Sequence, residues 1–420
     1  MIFSSTKEKF IFYTIPIFLF SLLPFFLITG PLLSDLSISI ISLLFITYCI
    51  IKKNFSFFNK SYFYIFLIFW GYIVFNSLIN NFNLDSIKIS FFYFRYGVFI
   101  IAIVALLDFN SKFIKYFFYC IFICFTLLIF DGFYQYFVGE NILGFKSPSK
   151  FRVSSFFHEE MILGSYLTRL WPIFFGLSMF ILKKRDNFFL FFVLIFILSE
   201  SLIFISGDRV AFFYINLSAA FVIFLSKKLY KLRIFTLSVS ILVLVIISFL
   251  NPTAKERVFD QTLKHMNLTN KEDNQIYIFS KQHNYHYISA YKMFLDNKVL
   301  GVGVNNFRNF CGKKDYFKNE LSCATHPHNT YIQLLSETGV IGFSFILFSL
   351  FYFLKTIFTH IIYRFNNRQY FSDFEICILS GISIYLWPFA PSGNVFNNWL
   401  NIAMILNFPF IIWSIKSNKT

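Results

Sequence analysis

The stretch CATHPHNTYIQLLSETGVIGF, Cys323 to Phe343, changes character within a few residues. It begins with two histidines, a proline and an asparagine, and ends in an apolar run that continues to about residue 357. The run 331–357 exceeds the roughly 20 residues that a helix needs to cross about 30 Å of hydrocarbon. His326 and His328 therefore stand at the mouth of a membrane helix. Thr325, Asn329 and Thr330 are the side chains able to cap it.

Outward from this stretch, apolar windows of spanning length recur at 10–29, 34–51, 61–80, 91–107, 113–131, 161–182, 188–205, 210–226, 234–251, 374–391 and 398–415. Only helices and closed barrels satisfy the backbone in lipid, and runs this continuous are helices. The chain of 420 residues is 57% hydrophobic and only 14% charged, against about 25% charged in soluble domains. We therefore expect an all-α integral membrane protein of about 12 transmembrane helices, with a long outer loop between helices 9 and 10. The first window, Phe10 to Thr29, lacks a small-x-small cleavage site and reads as a membrane helix, not a signal peptide. The net charge of +16 is dispersed over short connections, which argues against nucleic acid as a partner.

Those connections alternate. Lys7 and Lys9, Lys52, Lys53 and Lys60, Lys112 and Lys115, Lys183, Lys184 and Arg185, Lys227, Lys228, Lys231 and Arg233, Arg364 and Arg368, and Lys416 and Lys419 occupy both termini and every second connection. The intervening short ones are nearly free of Lys and Arg. The positive-inside rule places both termini in the cytoplasm. Two segments on the opposite side are long, 132–160 and 251–330. Loops beyond about 15 residues are usually functional or disordered. The second carries Cys311 and Cys323, which in an oxidising compartment are candidates for a disulfide that would rigidify the approach to the histidines.

Six of seven histidines fall on the outer side: His158, His265, His283, His286, His326 and His328. At a helix start the dipole disfavours an imidazolium, so His328 should stay neutral and able to accept a proton. Arg209, in SGDR, sits at the outer end of a span and needs Asp208, the interface or an anionic ligand. Arg95, Arg169 and Glu200 lie within or beside spans, and we expect Arg169 and Glu200 to satisfy each other. No metal is expected: His326-x-His328 lacks further ligand spacing, and the cysteines are wrongly spaced for a zinc ribbon. There is no Asp-x-Asp to clamp a diphosphate through Mg²⁺, and no cofactor-binding signature.

Four stretches together resemble the O-antigen ligase/polymerase family: ISGDRVAFF, YKMFLDNKVLGVGVNNFR, THPHNTYIQLLSETGVIGF and LWPFAPSGNVFNNW. The resemblance covers 131–420, leaving 1–130 as a preceding set of five membrane helices. It implies a glycosyltransferase C-superfamily-like fold and metal-independent transfer of a glycan from a polyprenyl diphosphate donor. The acceptor would be lipid A-core or a lipid-linked glycan at the outer face of the bacterial inner membrane. The family's essential histidine corresponds to His328 and its outer-edge arginine to Arg209, with His326, Asn329 and Glu337 supporting the entrance. A second family arginine usually precedes the LGVG segment. Here KQHNYHYISAY has none, so His283, or else Arg152 or Arg308, is expected in its place.

Residues and resemblance converge on one chemistry. A base takes the acceptor hydroxyl's proton while cations stabilise the leaving diphosphate, and a single displacement inverts the anomeric centre. The ligase activity is favoured over polymerisation of surface polysaccharide. A lipid-linked glycan transporter is the rival from another class, disfavoured because the polar groups gather at the outer rim and not at mid-membrane breaks.

Overall fold

In the computed structural model the described residues are 3–80, 83–147, 152–182, 187–227, 230–269 and 275–417. Their secondary structure is helical, with a single isolated bridge between Glu140 and Lys146. The main helices are α1 (Thr6–Thr29), α2 (Pro31–Ile51), α3 (Ser61–Ile79), α4 (Leu84–Phe109), α5 (Ser111–Val138), α6 (Leu163–Ile181), α7 (Asn187–Ile205), α8 (Arg209–Leu225), α9 (Tyr230–Leu250), α10 (Lys281–Asp296), α11 (Thr330–Phe365), α12 (Asp373–Leu386) and α13 (Asn398–Ser417).

Eight of the described helices are long and apolar enough to cross a membrane: α1 to α5, α9, α11 and α13. The remaining four expected spans fall on α6, α7, α8 and α12. α6 and α12 are also among the most enclosed elements, and they bury Thr168, Arg169, Ser178, Glu375, Ser380 and Ser383. A helix surrounded by protein can carry polar residues that a lipid-facing helix cannot. Of the expected loop cations, Lys183, Lys184, Arg185, Lys228 and Lys419 lie outside the described residues.

One apolar cluster runs from Phe12 through Phe125, Phe174 and Ile215 to Trp413. The helices before residue 130 and those after it thus share a core. At the end of the bundle opposite the outer histidines, Arg233 donates to the carbonyls of Val222 and Ile223, and Arg364 to those of Leu225 and Ser226. Cations there complement the C-terminal dipole of α8.

Two intramembrane charges resolve differently from one another. Arg95 pairs with Asp35 at 2.6 Å and stacks on Tyr96. The expected partnership of Arg169 with Glu200 is not formed. Glu200 instead accepts from the Ser240 hydroxyl, while Arg169 lies against Tyr385 and Ser165. Each side chain has found neutral partners instead.

The outer segment 251–330 is folded where described. Short helical turns cover 252–265, α10 follows, and Phe307–Phe310 leads to a disulfide between Cys311 and Cys323, whose Cα atoms are 5.2 Å apart. The LGVG stretch is laced onto α11. That helix breaks at Gly339, where φ is 62°, and a Cβ there would lie 2.1 Å from the Val299 carbonyl oxygen. Only glycine permits both the conformation and the approach. The carbonyls of Ser336 and Glu337 accept instead from Val302 and Gly303, each at 2.9 Å. The SETG and LGVG signatures are therefore two faces of one contact.

Candidate functional site

Asn329 begins the site. It is the N-cap of α11: its Oδ1 accepts from the backbone N–H of Tyr331 at 3.0 Å and Ile332 at 3.1 Å. Its Nδ2 donates to the Pro388 carbonyl at 3.0 Å, fastening this helix start to the turn between α12 and α13. His328, one residue earlier, is held in the left-handed region at φ 57°. Its own carbonyl accepts from Ser392 N–H at 2.9 Å. Gln333, fully buried, donates to Asn394 at 2.8 Å and to Glu337 at 3.0 Å. Glu337, also fully buried, accepts from the backbone of Asn305 and Phe307 at 3.1 and 2.9 Å. Its carboxylate ties α11 to the segment after LGVG, so it supports the site and does not face the cavity.

Three imidazoles gather around His328. Ring centres lie 4.1 Å away for His326, 5.4 Å for His286 and 5.5 Å for His283. His283 is placed by the Ser280 cap of α10, whose Oγ is 2.6 Å from its Nδ1. His326 lies between Thr325 Oγ1 at 2.9 Å and the Ser392 carbonyl at 3.3 Å. Burial pulls His328 below its ordinary value. Burial and then the neighbouring His328 pull His283 and His286 down to about 4 and His326 to about 3. At neutral pH the cluster is a wall of uncharged rings. His283 thus offers hydrogen bonding but no positive charge, so it does not reproduce an arginine. Among the described residues no group of three or more His, Cys, Asp or Glu is arranged to hold a metal ion.

All of these rings but His286 face a cavity of about 1670 Å³. His283, His326 and His328 form one side, and Arg152, Arg169 and Arg308 also line it. The cavity continues between α1 and α5 past Leu22, Phe25, Ile28, Tyr119, Ile123 and Leu127. A cationic chamber therefore opens sideways into an apolar groove.

Arg209 is not part of that lining, although Asp208 and Val210 on either side of it are. Asp208 caps α8 by accepting from Ala211 N–H at 3.1 Å. The Arg209 guanidinium reaches toward the outer segment, 3.2 Å from Thr262 Oγ1 and 3.3 Å from His265 Nδ1. It lies close enough to His283 to act on its charge, as Arg152 and Arg257 do on Arg209. The structure so brings His328, His326, His283, Arg152 and Arg209 into one neighbourhood, with Arg209 at its edge.

Sequence reading missed three participants. His286, fully buried beside His328, was only one of several outer histidines. Arg257 and His265 sit in a segment with no motif. Their i, i+4 and i, i+3 spacing to Gln261 and Thr262 was the only available signal.

Residues 191–347 match the family model described as O-antigen ligase. The match supports an O-antigen ligase/polymerase family assignment. It runs from α7 to α11 and contains Arg209, His283, His326, His328 and Glu337. The match supports a membrane function of the O-antigen ligase/polymerase type. The comparison with curated proteins finds none that matches.

Proposed function

We propose that the protein transfers a glycan from a polyprenyl diphosphate donor to a lipid-linked acceptor, with His328 as general base. The observation that carries this reading is the continuity of three environments in one cavity: neutral imidazoles, guanidinia that form no ion pair among the described residues, and an apolar groove. A lipid diphosphate has the same three parts in the same order, a sugar, a charged linkage and a hydrocarbon tail.

In the proposed reaction an acceptor hydroxyl gives its proton to a ring nitrogen of His328 as its oxygen attacks the anomeric carbon. The bond from that carbon to the diphosphate breaks, and the electron pair leaves with the phosphate oxygen. Arg209 and Arg152 hold the departing charge, their planar forks suited to phosphoryl oxygens. His283 adds a hydrogen bond without charge. One displacement inverts the anomeric carbon and needs no metal. His326 and Asn329 fix the orientation of the His328 backbone through the 388–392 turn.

The site belongs on the periplasmic side of a bacterial inner membrane, with both termini cytoplasmic and twelve spans, because the basic connections collect at the opposite end. We assign the catalytic part to 131–420 and the groove wall of α1 and α5 largely to 1–130. A lipid A-core acceptor, and hence ligation, is preferred to chain polymerisation. The test is transfer by a His328→Ala protein, reconstituted with a polyprenyl diphosphate-linked glycan and both acceptor classes. Undecorated acceptor should accumulate. Full transfer by stably inserted His328→Ala protein would refute the reading, and elongation of the donor glycan alone by the unmodified protein would make it a polymerase.

A further inference from the structure

Arg169 is the least explained charge in the molecule. It lies about 9 Å into α6 from its outer end, at a rise of about 1.5 Å per residue. Its side chain belongs to a residue only 7% exposed, yet it lines the cavity. Its guanidinium carbon sits 4.7 Å from the ring centre of Tyr385 and 5.9 Å from that of Tyr214. Nε donates to Ser165 Oγ at 3.1 Å. Among the described residues Arg169 forms no ion pair. Asp208 feels its charge, but that carboxylate is committed to the Ala211 N–H.

Burying a cation without a counter-ion is costly, and aromatic faces offset only part of that cost. The cost is tolerable where an anion arrives in the functional cycle. Where it would arrive is set by the packing of α6 on α8. Thr168 Oγ1 donates to the Ala211 carbonyl at 3.1 Å, and a Cβ on Gly164 would lie 3.0 Å from the Cβ atoms of both Asp208 and Ala211. This closeness brings the Arg169 turn beside the first turn of α8, a helix start that favours negative charge. Arg152 shares the same cavity wall.

We propose that Arg169 is a diphosphate-binding residue, taking phosphoryl oxygens of the lipid donor through both arms of its fork at the inner end of the cavity. The proposal rests on the donor reading above and adds a contact that neither the motifs nor the family match assigns. Tyr385 and Tyr214 hold the guanidinium by their rings, and Ser165 takes only its Nε.

The test is binding of undecaprenyl diphosphate, which carries no glycan, to the full chain in lipid nanodiscs. Undecaprenol serves as the uncharged comparison, and the complete lipid-linked glycan is measured in parallel. Arg169→Gln should weaken undecaprenyl diphosphate binding by about tenfold to a hundredfold, in line with losing charge-assisted hydrogen bonds. Undecaprenol binding should be unchanged. Arg169→Lys keeps the charge but loses the fork, and should weaken diphosphate binding several-fold; it carries the test if Arg169→Gln does not insert. Glu200→Gln should bind as the unmodified protein does. Undiminished diphosphate binding by Arg169→Lys or Arg169→Gln overturns the proposal. So does a loss confined to the complete donor, which would place Arg169 on the glycan, and so does an equal loss for undecaprenol. In each of those cases a His328→Ala protein that binds donor but does not transfer would leave the catalytic reading standing.

Discussion

The two sides of the cavity are built on opposite principles. The histidine side is sewn together: Asn329, Gln333, Glu337 and Ser392 knit α11 to two loops, and every ring on it is uncharged at neutral pH. The arginine side is sparsely bonded: Arg152 and Arg169 line it, Arg209 stands at its edge, and the capping carboxylate of Asp208 lies near all three. Arg95 shows what a purely structural intramembrane arginine looks like in the same chain, closed against Asp35 at 2.6 Å. A polar side that is complete without ligand orients a reacting group. One left short of counter-charge awaits an anion.

The largest effect should come from removing the central ring. His328→Ala is expected to lower transfer by roughly 10²–10⁴-fold, the usual range for a general base, while donor affinity stays within about twofold. If affinity collapses with activity, the histidine side is a binding surface and the contrast fails. Breaking the structural arginine pair comes next. Asp35→Asn should cost roughly 3 kcal/mol of stability by stranding Arg95, without changing the donor KM of protein that remains folded. The scanning unfolding temperature and KM together check it; a changed KM would move Arg95 to the functional side.

Removing the Cys311–Cys323 link, which spans a separation of 12 residues, should destabilise the outer segment by about 2–3 kcal/mol on the chain-entropy account. Thiol labelling before and after reduction, with hydrogen exchange over 281–330, reads this directly. Asn329→Ala should cost about 1 kcal/mol through the lost cap, and should slow transfer by releasing the backbone beside His328. The smallest effect concerns pH. Burial lowers the His328 value, so its neutral form persists below the ordinary 6.5 and is lost only as pH falls further. The transfer rate at pH 6.5 should therefore exceed half its value at pH 8. A rate already halved above pH 7 would mean that an anionic partner, and not burial, sets the state of His328.

Much of this was legible before any coordinates. Long apolar windows carry their own evidence, since lipid forces the backbone into helices, and the cap fell to Asn329, one of three side chains of the right type at that place. The pairing of Arg169 with Glu200 was misjudged because depth along two helices does not fix which way either side chain points. Arg257 was not singled out, and His265 only as one outer histidine among six, because their meaning is purely spatial: nothing in ERVFDQTLKH says that its helix lies against Arg209. The fit of SETG against LGVG was visible only as two glycine-bearing motifs, and their contact depends on a helix break that sequence periodicity does not reveal.

The central claim is that one donor diphosphate reaches both sides at once. A structure of the full chain with an uncleaved polyprenyl diphosphate sugar bound would measure it most directly. The account predicts phosphoryl oxygens within hydrogen-bonding distance of the guanidinia of Arg209 or Arg152, the tail between α1 and α5, and the anomeric carbon turned toward His328. A diphosphate seated away from those arginines, or a sugar facing away from the imidazole cluster, would contradict it.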